Sequence, residues 1–293
     1  MDISTFIVNV FTFIDDWFQQ QTRPLRQRGA QPVLWDSEVL TIEVVGAFLG
    51  LSTDQAIYDY FRRHWADYFP RLTGVHRTTF VRQSANLWLM KQRLWQALLT
   101  HIAFDPALAI IDSTPIPICR FARASYSRRL RDCSAYGHDE VARQKFFGLR
   151  AHMVICWPGV ITKLELSPAN VAELTVAEQL LAGHSGWVLA DRNYWSPNLR
   201  ARLREHGLRL LAPFRLKHKE SSPWPLWLKH MRFRIETVFG QLVERFDVKR
   251  VRTHDRWHFC SRWWRFVLSH TFAVYLCQQY GLPALRFADL ISV

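Results

Sequence analysis

Three carboxylates carry the chemistry that this chain suggests: Asp112 in LAIIDSTPIP, Asp191 in WVLADRNYW and Glu236 in MRFRIETVFG. Asp112 and Asp191 each close a short apolar run that reads as a buried strand. Glu236 sits inside a helical, strongly basic stretch. A carboxylate at the end of a buried strand is costly unless a cation or a donor offsets its desolvation. Two such strands and one helical Glu are suited to hold Mg²⁺, with Mn²⁺ able to substitute, for in-line attack on a phosphodiester. All three acids are therefore candidate metal ligands.

The elements that must position them can be read from the spacing. Asp112 and Asp191 are 79 residues apart, room for a loop, a hairpin and a helix; Asp191 and Glu236 are 45 apart, room for one helix and one strand. Ala107–Ile111 is a short apolar run, followed by a polar, Arg-rich loop over 113–145. Phe147–Trp157 and Val160–Ser167 flank Pro158–Gly159 and read as a hairpin. Asn170–Leu181 has helical spacing, and Trp187–Ala190 is another strand. Ser196–Pro197 opens a helix that Gly207 closes, and Leu208–Ala212 is a fifth strand. A break at Ser221–Pro225 precedes a helix over about 226–246. The fold class is α/β: a mixed five-stranded sheet with helices on both faces.

Residues 1–100 read as an all-helical region. Asp36 is the expected N-cap of SEVLTIEVVGAFL and Gly50 its stop. A second helix is expected over Thr53–Tyr68 and a third over Thr78–Leu99. The third should bury Leu87, Trp88, Met90, Leu94 and Trp95. The turns at Gly50–Ser52 and Leu72–Gly74 give two helix–turn–helix units, either of which could read DNA; the alternative is a plain helical bundle. The expected division is thus 1–100 as helical region and 101–293 as catalytic domain with a basic, aromatic C-terminal segment.

The net charge is +13. It is uneven: residues 1–100 hold ten basic and nine acidic side chains, residues 101–210 fourteen and ten, and residues 211–293 fourteen and six. A basic field that grows toward Glu236 points to a polyanion, nucleic acid before membrane. One basic run is Arg120, Arg123, Arg128, Arg129 and Arg131. A second is Arg245, Lys249, Arg250, Arg252 and Arg256, continuing through Trp257, Arg262, Trp263, Trp264 and Arg265. Arginine with interleaved aromatics suits phosphate clamping and base stacking; core packing is the other use for at least half of the tryptophans. Cys119, Cys133, Cys156, Cys260 and Cys277 form no CxxC pair, which fits a reducing, cytoplasmic setting. No stretch suits a bilayer span or a signal peptide.

The segments IIDSTPIPIC, KFFGLRAHM, LSPANVAE, VLADRNYW and RIETVFGQL resemble, in order, those of DDE transposases of bacterial insertion sequences. The resemblance spans about Ile110–Arg252 and implies an RNase H-like core of compact type, without a large insertion domain. It implies Asp112, Asp191 and Glu236 as catalytic triad, with Mg²⁺-dependent strand cleavage and strand transfer at the element's ends. Double-stranded DNA, as terminal inverted repeats and as target, is the implied partner, held by a homodimer in the bacterial nucleoid. Arg232 matches the family's basic position four residues before the third acid. The chain departs from the family pattern at Lys229, Asn193 and Val243, where Tyr, Gly and Lys are frequent. Two other readings stay open: an RNase H-like nuclease that cuts without joining, and a catalytically silent DNA-binding derivative.

Rival chemistries lack their signatures. His254, His258 and Cys260 have no second ligand pair for zinc. Ser37, Ser113 and Ser134 lack a nucleophile elbow, and no Walker-type loop is present.

Overall fold

The computed structural model describes residues 1–21, 31–140, 142–213 and 226–291. In chain order it has α1 (Ile3–Gln19), α2 (Asp36–Phe48), α3 (Asp54–His64), α4 (Arg77–Asn86) and α5 (Trp88–Leu99). Strands β1 (Asp105–Pro117), β2 (Ala135–Asp139), β3 (Gln144–Trp157) and β4 (Val160–Pro168) follow. Then come α6 (Glu173–Leu180), β5 (Gly186–Leu189), α7 (Pro197–Glu205), β6 (Leu208–Leu211), α8 (Leu226–Glu244) and α9 (Arg256–Gln279). The break expected at Ser221–Pro225 lies outside the described residues. No helix among the described residues is long and apolar enough to cross a membrane.

The chain packs as two units. The first comprises residues 1–102, 242–248 and 255–293, and the second residues 103–241 and 249–254. Residues 255–293, expected with the catalytic region, therefore group with the N-terminal helices. The reason is burial: α9 hides Phe259, Trp263, Phe266, Leu268, Phe272 and Leu276, more apolar surface than a solvent-facing helix carries.

In the helical unit α2 is buried along nearly its whole length. Its Glu43 is the centre of a charge network. Lys91 of α5 is ion-paired to it at 2.5 Å, and Arg265 of α9 at 3.0 Å. Arg265 also holds Asp54 at the start of α3, and Ser84 of α4 donates to Glu43. Glu43, Lys91 and Arg265 are all at most 1% exposed. Five helices thus meet at one set of paired charges, which an apolar core would not orient so specifically. Two local expectations change. Trp35, not Asp36, precedes the first turn of α2, and Glu38 accepts from the Trp35 amide at 2.8 Å. The helix expected over 78–99 is two helices, broken at Leu87. The apolar positions stay in phase across that single residue, so spacing could not reveal the break.

The second unit is built on one mixed sheet in the order β2-β3-β1-β5-β6, with β4 also paired to β3. β3 runs antiparallel to both β1 and β4; β1, β5 and β6 are parallel. This is the expected mixed α/β sheet with one additional short strand. β2 and the second half of β1 occupy what reads as polar loop. Pro115 and Pro117 hide the continuation of β1. They are tolerated because β1 pairs with β5 only over Leu108–Ile110, so beyond that point one side of the strand needs no N–H donors. The Ile118 amide, on the other side, does bond to Phe147 at 2.9 Å. Gly148 is needed for close approach, since a Cβ there would sit 2.1 Å from the Ile116 carbonyl oxygen. α6 and α7 cover one face through Ala177, Leu180, Leu199 and Leu203, against Ala109, Ile111, Val154, Val188 and Leu210.

Candidate active site

The parallel pairing of β1 and β5 sets the first two acids. Its last pair is Ile110 with Leu189, and both chains remain extended for two residues more. Asp112, within β1, and Asp191, just past the end of β5, therefore stand at the same level on adjacent strands. Ala109, Ile111, Val188 and Ala190 face α6 and α7. By the two-residue alternation of a strand, Asp112 and Asp191 share the opposite face.

Each acid has local backbone donors. The Ser113 amide donates to Asp112 at 2.7 Å, and the Asn193 amide to Asp191 at 2.9 Å, which caps a short 3₁₀ turn over Arg192–Tyr194. These donors do not compensate burial. Asp112 is pushed up to about 7, first by desolvation and then by the charges of Asp191 and Glu173, against the Ser113 amide and Arg232. Asp191 is pushed up to about 6 by desolvation and by Glu173, against the Asn193 amide and Arg232. The same acids, after burial, raise the Tyr194 phenol, whose buried hydroxyl has no hydrogen-bond partner among the described residues. The site holds more negative charge than its own cations neutralise. Its oxygen-only donor pair suits a hard divalent cation.

Glu236 is placed differently. On α8 it is paired with Arg232, one turn earlier, at 3.1 Å, and its side chain is 45% exposed. Among the described residues no three His, Cys, Asp or Glu side chains stand together as a ligand set. That holds for His254, His258 and Cys260 as well; His258 instead bonds Asp255 at the start of α9.

The carboxylate that acts on both Asp112 and Asp191 is Glu173, the first residue of α6, which sequence reasoning missed. Ser113 donates to Glu173 at 2.6 Å, and Arg150 of β3 reaches both Glu173 at 2.9 Å and Ser113 at 3.1 Å. A second Arg150 nitrogen holds the His138 carbonyl of β2. The signal was present: a lone arginine within the apolar run of β3, and an acid opening a helix just after SPAN.

The predicted DNA-contacting residues divide. Arg120, Arg123, Arg128 and Arg129 line one open concavity of about 880 Å³ with Tyr126 and His254. Tyr126 is exposed there; Phe121, next to Arg120 in sequence, is exposed too, and its ring is 5.9 Å from that of exposed Tyr136 on β2. Lys249, Arg250 and Arg252 are exposed. Arg245 is not a free cation: it donates to the Phe48 carbonyl at 2.9 Å and lies 4.6 Å from the Phe48 ring centre. Arg262, Trp263 and Arg265 are buried and belong to the core, while Trp257 is exposed and Trp264 half-buried.

Residues 104–256, just over half of the chain, match the family model described as a transposase DDE domain. The fold is similar to that of the piggyBac transposase, solved by cryo-electron microscopy as a synaptic complex with hairpin DNA. The TM-score is 0.49 and the identity 10%, over 98% of this chain and 76% of that one. Among curated proteins none matches the chain.

Proposed function

The chain belongs to the DDE transposase family, and we propose that it cuts DNA at the ends of a bacterial insertion sequence and joins the freed 3′-hydroxyl to target DNA. The observation that supports this reading is the shared level of Asp112 and Asp191 on the adjacent strands β1 and β5, both raised by burial and surrounding negative charge. Asp112, Asp191 and Glu236 would hold Mg²⁺ or Mn²⁺, which supplies the positive charge that stabilises attacking and leaving oxygens. The chain's own residues prepare that site. Arg150 and Glu173 tie β1, β2, β3 and α6 together beside Asp112, fixing that part of β1. Arg232 neutralises the acids electrostatically and holds Glu236. Glu236 would serve as the third ligand if it parted from Arg232, whose guanidinium would then be available to a DNA phosphate.

DNA is held by Arg120, Arg123, Arg128 and Arg129 and by Lys249, Arg250 and Arg252. Reading of the element's end falls to the helical unit. α4 suits it best, because Arg77, Thr78, Thr79 and Arg82 are exposed while Phe80 and Ser84 anchor the helix. α2 is buried and cannot enter a groove. Joining two ends calls for a homodimer on DNA.

The test uses DNA flanking the reading frame, pre-cut to a free 3′-hydroxyl, with a plasmid target and Mg²⁺. Joined product is expected. Cleavage without joining supports a plain nuclease, and neither activity supports a silent DNA-binding derivative.

A further inference from the structure

The edge of the sheet opposite β2 carries a second basic surface that none of these roles uses. β6 closes that edge, paired with β5. With α7 it borders an open concavity of about 730 Å³, lined by Trp187, Arg200, Arg204 and Arg209 and by no acidic residue. Arg200 and Arg204 are one turn apart and share a face of α7. Arg209 points outward from β6 between buried Leu208 and Leu210. Its guanidinium lies 5.2 Å from the centre of the Trp187 ring, which is 43% exposed.

Arg202 shows what a structural arginine on α7 does: it grips Glu178 through bonds of 3.0 Å. No carboxylate pairs with Arg200, Arg204 or Arg209 among the described residues. Three like charges gathered around one hollow repel each other, and an exposed tryptophan adds apolar surface. Phosphate oxygens would satisfy all three guanidinium groups, with Trp187 keeping the Arg209 plane in place.

We propose that this surface holds the phosphate backbone of a second DNA duplex, separate from the one engaged by Arg120–Arg129. The strand order supports it. β1 and β5, which carry Asp112 and Asp191, lie between the β2 side with its arginine concavity and the β6 edge. Strand joining brings two duplexes to one set of acids, and two flanking basic surfaces supply one hold for each. The inference rests on the transposase reading above.

The experiment is titration of the full-length protein with a short random-sequence duplex across a salt series, followed by the joining assay. For wild type, two duplexes per chain are expected. In R200A/R204A/R209A the stoichiometry should fall to one and the salt slope by about three, near 0.9 for each phosphate no longer neutralised. Joining to plasmid should fall by about tenfold or more, while cleavage at the element's end is unchanged. The Lys triple variant keeps the charge and should restore most of the binding; it also serves if the Ala variant melts early. Unchanged slope and stoichiometry in a folded variant would overturn the proposal, as would one duplex per wild-type chain that disappears on replacing Arg120, Arg123, Arg128 and Arg129. A wild type that binds no duplex would instead defeat the transposase reading.

Discussion

Asp112 and Asp191 each lie two residues past the pair Ile110–Leu189, the last pair that joins β1 to β5. That register brings together two carboxylates 79 positions apart in sequence. In a parallel pair, residues equally far past the last pair stand at one level, so the apolar residues that fix the register also fix the acids. The same burial that secures the strands makes the carboxylates hard to ionise without a cation.

Removing any one acid should stop chemistry and spare binding. Asp112→Asn, Asp191→Asn and Glu236→Gln each delete a charge with little change of volume. Strand cleavage should fall by about 10²–10³ or more, as when a transition-state charge partner is removed. Affinity for duplex DNA should stay level or rise slightly, since an anion next to the phosphates is gone. Gel shift and cleavage assays on the same preparations check this. A substituted protein that still cuts at near the wild-type rate would remove that residue from the site, and Glu236 is the one the ion pair with Arg232 puts most directly at risk.

The raised carboxyls make stability fall with pH when metal is absent. Asp112 near 7 and Asp191 near 6 both exceed the ordinary value of 3.8 that the unfolded chain retains. The native state therefore binds protons that the unfolded state has already released. This contribution is complete below about pH 4 and disappears as the pH rises through about 6 to 7. In EDTA the stability of wild type relative to Asp112→Asn should decline across that window. Mg²⁺ should recover it above about pH 7, where the carboxylates are charged and bind metal best. Thermal melts of both proteins with and without Mg²⁺ measure the effect; a wild type that gains stability over Asp112→Asn as pH rises in EDTA would contradict it.

The strands and helices that carry Asp112, Asp191 and Glu236 were legible because buried strands write continuous apolar runs and amphipathic helices write a period. What was not legible came from residues whose meaning depends on a distant partner. Glu173 reads as an ordinary helix-start acid until Arg150 and Ser113 stand beside it. Arg245 reads as one more base in a basic run until the Phe48 carbonyl and ring occupy its guanidinium. Pro115 and Pro117 read as loop because sequence does not show that one side of β1 has no neighbour there. The grouping of α9 with the N-terminal helices, which its apolar burial secures, also brings Glu43 to Arg265, residues 222 apart.

That pair supports a stability prediction. Glu43→Ala leaves Lys91 and Arg265 buried near each other without their shared counter-charge. Breaking a buried pair on one side costs about 3–5 kcal/mol. Asp54 still faces Arg265, which puts the expected loss toward the lower end. Urea unfolding should show a lower midpoint with an unchanged slope. A double change that removes charge from both sides, Glu43→Leu with Lys91→Met, should recover part of the loss. If Glu43→Ala costs less than about 1 kcal/mol, the network is not holding the helices together.

The second basic run should split in the same way that its burial splits. Lys249, Arg250 and Arg252 are exposed, and replacing all three with Ala should weaken binding to any duplex regardless of sequence. The slope of log affinity against log salt should flatten by about 0.9 for each phosphate left without its cation, up to about three units. Melting temperature should barely move, because exposed side chains away from packed features rarely shift stability by more than about 0.5 kcal/mol. Arg245→Ala should do the reverse. It removes a charge-assisted bond to the Phe48 carbonyl and a stacked cation, together worth about 2–3 kcal/mol, so the helical unit should lose stability while the salt slope holds. Fluorescence anisotropy with a labelled duplex and thermal melts on the same two proteins separate the outcomes. A flattened salt slope in Arg245→Ala with an unchanged melt would return that arginine to the DNA-contacting set.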